Sequence, residues 1–183
     1  MRQVPGAEKV VFFDYTLRRA RSTKLPSNHV KKIHIDQSPK GAVGRAKRHL
    51  EKEDWETISN GQKRLRIINF WKPLVLVRDH PLALADSRTL LADDLVNVRH
   101  AYPDYIGETL AVRHREGQEF WYWSGMTPKD VLLFQCFDSQ QTVDAKGLSY
   151  PQYAHGPFEL REDGSKAFTR VSIEVRCLVV CEL

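Results

Sequence analysis

The chain has few features that would place it in a membrane or tie it together covalently. No apolar run approaches the ~18 residues a membrane-crossing helix needs. The opening Met1-Arg2-Gln3-Val4-Pro5 is not followed by an apolar stretch before Glu8 and Lys9, so no secretory signal is expected there. Cysteine is scarce, with Cys136, Cys177 and Cys181 only. Three cysteines cannot all pair, and none forms a Cys-x-x-Cys. Reduced thiols in a cytoplasmic protein are therefore expected, and a cysteine-built zinc site is not. There is no internal repeat, no low-complexity tract and no linker, so residues 1–183 are expected to form one domain.

The composition is that of an ordinary soluble domain, with 42% hydrophobic and 28% charged residues. The net charge of +5 is unevenly spread, because residues 1–52 carry 13 Lys/Arg against 4 Asp/Glu. A basic first third can be an electrostatic footprint for nucleic acid. It can equally be a solvated helix face and a basic turn. The clusters Arg18-Arg19, Lys31-Lys32 and Arg45 to Arg48 are short, and no aromatic stacking motif interleaves them. No nucleic-acid partner is therefore expected.

Apolar patterning predicts many short strands. Val10 to Tyr15 reads as a strand buried on both faces, and Arg18 to Asn28, with Pro26, as a loop. Val30 to Gln37 alternates, with Ile33 and Ile35 on one side and His34 and Asp36 on the other. Ser38-Pro39 is a good helix start, and Lys40 to Ile58 reads as one long helix ended by Asn60-Gly61. Its buried side is Ala42, Val43, Ala46 and Leu50, continued by Trp55 and Ile58. Further strands are expected at Leu65 to Trp71, Leu82 to Leu84, Gly107 to His114, Gln118 to Ser124, Val131 to Phe137 and Thr169 to Val180. Ser87 to Asp94 reads as a helical turn, and Asp138 to Tyr153 as a long surface loop. One dominant helix outside many strands suggests a sandwich or jelly roll.

Chemistry concentrates in three places. His34 and Asp36, two apart on a strand, point to one side. His155, 119 residues after Asp36, could supply a second imidazole. Two imidazoles and one carboxylate suit Fe(II) and leave three octahedral positions open for O2 and a co-substrate. Arg170 and Ser172 share a strand face and offer donors that suit a carboxylate. Glu174 and Arg176 continue that face, with Val171, Ile173 and Val175 on the other. Each piece alone has a plain reading: a chance His-x-Asp, a loop histidine near Gly156-Pro157, a solvated edge strand. Their joint order favours an Fe(II)/2-oxoglutarate oxygenase. A catalytically silent jelly-roll module holding a small acid or a metal, and a basic nucleic-acid-associated domain, remain alternatives.

Nearly the whole chain also resembles a known group. The stretches are Val10 to Arg19, Ile33-His34-Ile35-Asp36-Gln37-Ser38, Ala42 to Leu50, Ile67 to Pro73, Pro81 to Asp86, Tyr102-Pro103-Asp104, Gly107-Glu108-Thr109, Trp121-Tyr122-Trp123, Met126-Thr127-Pro128, Phe137-Asp138-Ser139 and Arg170 to Arg176. They resemble the fungal and bacterial hydroxylase/desaturase family that includes gibberellin desaturase-type enzymes and a relative of the cephem methoxylase component. The resemblance implies a double-stranded β-helix, a cupin-like jelly roll, that oxidises small secondary metabolites with Fe(II), 2-oxoglutarate and O2. It implies His34, Asp36 and His155 as iron ligands, and Arg170 and Ser172 as the co-substrate's carboxylate site. Asn69 is then a candidate contact for the 2-oxo acid or the substrate, and Trp71 and Tyr122 are pocket candidates. The chain departs from the family in three ways. Relatives have a longer segment ahead of the Val10 strand. They have His where this chain has Gln118, a position that would touch substrate. They read Pro-His-x-x-Phe where this chain has Ala154-His155-Gly156-Pro157-Phe158.

Overall fold

The computed structural model describes residues 6–19, 32–140, 153–158, 160 and 170–183. Ten strands and two helices follow in the order β1 (Ala7–Arg19), β2 (His34–Ile35), α1 (Pro39–His49), α2 (Lys52–Ser59), β3 (Arg64–Pro73), β4 (Leu82–Ala85), β5 (Leu95–Ala101), β6 (Ile106–Val112), β7 (Phe120–Tyr122), β8 (Leu132–Asp138), β9 (His155–Pro157) and β10 (Val171–Cys181). The fold is mainly β and consistent with a jelly roll. One sheet has the order β1-β10-β3-β8 and the other β5-β6-β2-β9-β4-β7. The strand pairs in both sheets are antiparallel. Among the described residues, no helix is long and apolar enough to cross a membrane.

The strand alternation decides what fills the interior. Along β3, Leu65, Ile67, Asn69 and Trp71 turn inward and are buried. Ile35, Leu110, Phe134, Leu178 and Val180 join that core. On β10 the first inward positions are instead polar: Ser172, Glu174 and Arg176 are buried, as is Arg170 just ahead of the strand, while Val171, Ile173 and Val175 are partly exposed. Apolar residues take over the interior only from Cys177 onward. One half of the interior is thus hydrocarbon and the other half carries charge.

Several expectations are corrected. The single helix over Lys40 to Ile58 is two, because Leu50 and Glu51 adopt extended backbone (ψ 153° and 155°) and start a new helix at Lys52. Burying the Leu50 side chain against the core draws the chain out of α1 without glycine or proline. Val43 is exposed rather than core. The first strand is longer than Val10 to Tyr15 and takes in Arg18 and Arg19, which were read as loop. It lies at a sheet edge, so it is not buried on both faces: Phe12 is 62% and Tyr15 73% exposed. The strand read over Val30 to Gln37 is reduced to His34–Ile35, with residues 30 and 31 outside the described ones. β5 escaped the sequence reading because it is an edge strand with exposed Val96, Asn97, Arg99 and His100. Most of the loop expected over Asp138 to Tyr153 lies outside the described residues.

The helix start is tied directly to the sheet that carries His34. Ser38 caps α1 by accepting from the Gly41 N–H at 3.0 Å, and its hydroxyl donates to Glu108 Oε1 at 2.6 Å. The Ser38 N–H donates to the Glu108 carbonyl at 3.1 Å. This close approach requires Gly41, because a Cβ there would collide with that same carbonyl oxygen, whereas Gly44 faces open space. Gly44→Ala should therefore raise the unfolding free energy by about 0.5–1 kcal/mol. Gly41→Ala should lower it by about 1–3 kcal/mol, because α1 must move off β6. Urea unfolding of the two variants checks the opposite signs.

Candidate metal centre

β2 and β9 are neighbours in the six-stranded sheet, and their register sets His34 opposite His155. The two rings lie 4.6 Å apart between centroids. Asp36, one residue beyond β2, turns to the same side. One ligand atom from each of His34, Asp36 and His155 lies within 4.8 Å of the others. Metal bonds of about 2.1 Å meeting at right angles would place such atoms roughly 3 Å apart. His34 Nε2 and Asp36 Oδ1 are already at 3.3 Å. The donor set fits a divalent ion after a small closing movement of the side chains.

The backbone presents both imidazoles in the same tautomer. His34 Nδ1 lies 2.8 Å from the Lys32 carbonyl and His155 Nδ1 lies 3.1 Å from the Tyr153 carbonyl. A carbonyl only accepts, so each Nδ1 carries a hydrogen and Nε2 is the nitrogen each ring offers to a metal. His155 Nε2 is buried with no protein partner among the described residues. An unmet buried nitrogen is costly, and a metal is the kind of partner that would satisfy it.

Asp36 is held for single-oxygen ligation. Its Oδ2 accepts from Asn69 Nδ2 at 2.6 Å and from Arg176 Nε at 2.7 Å, leaving Oδ1 toward His34. Arg176 spreads its remaining donors over Asp14 Oδ2 at 2.9 Å, Thr16 Oγ1 at 3.2 Å and Glu174 Oε1. The charges follow this geometry. Burial alone would raise the Asp36 carboxyl, but Arg176 and His34 outweigh it and hold it well below the carboxylate range. Burial and the Asp36 charge push Glu174 up. Burial opposes the charged form of His34, yet the Asp36 carboxylate raises it above the usual imidazole value. His155, more deeply buried, is pushed down to about 4. It is therefore neutral, as a ligand must be.

A second polar site lies further along β10. Arg170 and Ser172 are buried, and Arg170 Nε and Ser172 Oγ have no partner among the described residues. The Arg170 guanidinium donates to the His80 carbonyl and sits 5.5 Å from the centroid of Trp71. His80 holds that carbonyl in place from a left-handed backbone (φ 52°), steadied by Asp79 Oδ1 accepting from its N–H at 2.7 Å. Burial lowers Arg170 to about 10, so it stays a cation near neutrality. A buried cation without a carboxylate is expensive unless an anion joins it.

The residues singled out from sequence fall into two groups. His34, Asp36 and His155 come together, and Arg170 and Ser172 share a buried face. Asn69 donates one N–H to Asp36 and so braces the carboxylate, while its Oδ1 is buried and meets no partner among the described residues. Gln118 is absorbed by its own turn, donating to the Arg113 carbonyl at 2.9 Å and accepting from the Arg115 N–H at 3.3 Å. Tyr122 is on the edge strand β7, 44% exposed, with its ring edge-on to Phe158. Neither lines the cavity that reaches the triad. Trp71 is wholly buried and packs against Arg170. Sequence reasoning gave Arg176, Glu174 and Asp14 no role. The only signal was the run of four polar residues on one face of β10.

A model of the oxidoreductase/YMDC permease-like domain matches residues 1–180. The chain belongs to this family. Curated relatives carry the names the resemblance pointed to. Hydroxylase/desaturase poxK of Penicillium oxalicum is 31% identical over 96% of this chain and 60% of its own length. Alpha-ketoglutarate-dependent dioxygenase tstK of Talaromyces stipitatus is 30% identical over 98% of this chain and 66% of its own. Among solved structures, the iron and alpha-ketoglutarate-dependent endoperoxidase NvfI superposes with a TM-score of 0.83 at 30% identity, covering 100% of this chain and 66% of that one. The chain thus spans about 60–66% of the length of these proteins.

Two outcomes follow from the site's electrostatics. Arg176→Met should destabilise the fold by about 3–5 kcal/mol, because it leaves Asp36 and Glu174 as buried carboxylates without their cation. Adding Glu174→Gln should recover part of that loss, read by urea unfolding as a double-mutant cycle. For pH, a depressed imidazole contributes stability above its unfolded value of 6.5 that is lost as pH falls toward about 4. The raised His34 contributes a constant amount in that window, since its share is lost only at higher pH. Glu174, pushed up, works the other way and gains as pH falls toward 4.5, so metal-free protein should lose less than about 3 kcal/mol between pH 6.5 and 4. His155→Gln should flatten the thermal-melting profile there.

Proposed function

We propose that the chain is the double-stranded β-helix domain of an Fe(II)/2-oxoglutarate-dependent oxygenase that hydroxylates or desaturates a small-molecule metabolite in the cytoplasm. The observation that carries the reading is the meeting of two imidazole nitrogens and one carboxylate oxygen within 4.8 Å, with His155 Nε2 buried and unmet among the described residues. The names and folds of the relatives support it.

His34, Asp36 and His155 would hold the iron, which supplies O2 activation coupled to oxidative decarboxylation of 2-oxoglutarate. The rest falls to the protein. Two imidazoles and one carboxylate would leave room on such an ion for O2 and the co-substrate. Asn69 and Arg176 keep Asp36 from turning its second oxygen to the ion. Arg170 and Ser172 would take the distal carboxylate of the co-substrate with Arg170 Nε and Ser172 Oγ, which meet no acceptor among the described residues. Trp71 walls that end and keeps water from the guanidinium. This fixes the co-substrate's orientation before any substrate enters.

Anaerobic titration of the metal-free protein with Fe(II) and 2-oxoglutarate tests the reading. A visible absorption band that requires both should appear. His34→Ala should abolish it. Arg170→Ala should keep it but raise the 2-oxoglutarate needed by about 10–100-fold, the loss of one charge-assisted pair. Folded protein that gives no band would overturn the proposal in favour of a silent binding module.

A further inference from the structure

The cavity that reaches the triad has a wall the proposed chemistry does not use. It measures about 440 Å³ and is lined from β1, β2, β5, β6, α1 and β10. His34 and Asp36 border it, while Arg170, Ser172 and Trp71 do not. It therefore meets the triad by a route separate from the Arg170 end. Val98, Tyr102 and Ala111 give it apolar surface suited to a carbon skeleton.

The charge on this wall is one-sided. Arg18, Lys32, Arg45 and Arg176 line it against Asp14 and Asp36. Both carboxylates are already engaged by Arg176, at 2.9 and 2.7 Å. Among the described residues, no carboxylate pairs with Lys32 or Arg45. Arg45 is instead held by aromatic faces, 5.4 Å from the Phe13 centroid and 5.6 Å from that of Tyr105. Such stacking fixes a guanidinium while leaving its charge uncompensated.

We propose that this cavity binds an organic substrate bearing a carboxylate, which Lys32 and Arg45 grip while the carbon to be oxidised lies toward His34 and Asp36. The inference names the substrate class for the oxygenase reading above and rests on it for the chemistry. The anion fixes which end of the molecule faces the metal, so regiochemistry follows from the distance between the basic wall and the triad. The cations also draw acids in from solution, an effect that salt weakens.

Matched acids and esters test this. Protein loaded with Fe(II) and saturating 2-oxoglutarate, without oxygen, is titrated calorimetrically with 2-naphthoate, abietate and their methyl esters. The same titrations are repeated on metal-free protein. Each acid should bind about tenfold or more tightly than its ester, the expected gain from a charge-assisted contact. Lys32→Gln and Arg45→Gln should each shrink that ratio, and Lys32→Glu should reverse it. Lys32 is exposed, so its variants leave the packing untouched. Equal binding of acid and ester, no binding of either acid at millimolar concentration, or a ratio unchanged in both neutral variants would overturn the proposal. Failure of the iron and co-substrate band, with the acid preference intact in metal-free protein, would count against the oxygenase reading alone.

Discussion

The buried pair between Asp36 and Arg176 joins the two sheets at the point where the chemistry is read. Arg176 belongs to β10, an inner strand of one sheet, and Asp36 follows β2, an inner strand of the other. Asp14 on β1 and Asn69 on β3 close the network from either side of β10. The position of Oδ1 is thus set by three strands that are not its own. Each histidine is fixed within its own segment of the six-stranded sheet, by the carbonyl two residues ahead of it. The triad's geometry is a property of the sandwich as a whole rather than of one loop.

Such a pair is a poor way to stabilise a domain. Moving two ions out of water costs several kcal/mol, and well-packed apolar side chains of similar size would often do as well or better. The molecule already uses apolar packing in the other half of β10, where Leu178 and Val180 face the core. The polar half is therefore better understood as a site maintained against the hydrophobic tendency of the fold. Its stability is supplied from the apolar half and from the helix start locked to β6. This division also explains the raised Glu174 beside the lowered Asp36. One cation serves two buried carboxylates, and the one with the better hydrogen bonds keeps its charge.

Period-two alternation made much of this visible in the residues alone. His34 with Asp36, and Arg170 with Ser172, each share a face on any strand, and the structure keeps those faces. His155 was harder, because Ala154-His155-Gly156-Pro157 looks like a loop; it is a three-residue strand recruited between β2 and β4. Long-range pairing was not legible. Arg176 lies 140 positions from Asp36, and nothing local to either names the other. Asn69 was not legible as a brace for the same reason, because Asp36 reaches it from across the sandwich. The helix break at Leu50 left no glycine or proline to mark it. The edge strand β5 left no buried face to mark it either. Features fixed by local pattern were readable, and features fixed by tertiary choice were not.

The interior cations can be sorted by what accompanies them, and this separates structure from recognition. Arg176 is surrounded by Asp36, Glu174 and Asp14, so its charge is spent within the protein. Arg170 is as deeply buried, but its partners among the described residues are a carbonyl and an indole face, neither of which neutralises it. Arg45 repeats that arrangement at the cavity wall, with two aromatic rings in place of a carboxylate. Orienting a cation with dipoles and π-faces keeps its position while preserving its attraction for an anion, whereas orienting it with a carboxylate removes both the cost and the attraction. Folding alone would favour the second choice at every position. The two positions that use the first are Arg170, buried beside Trp71, and Arg45, on the wall of the cavity that His34 and Asp36 border.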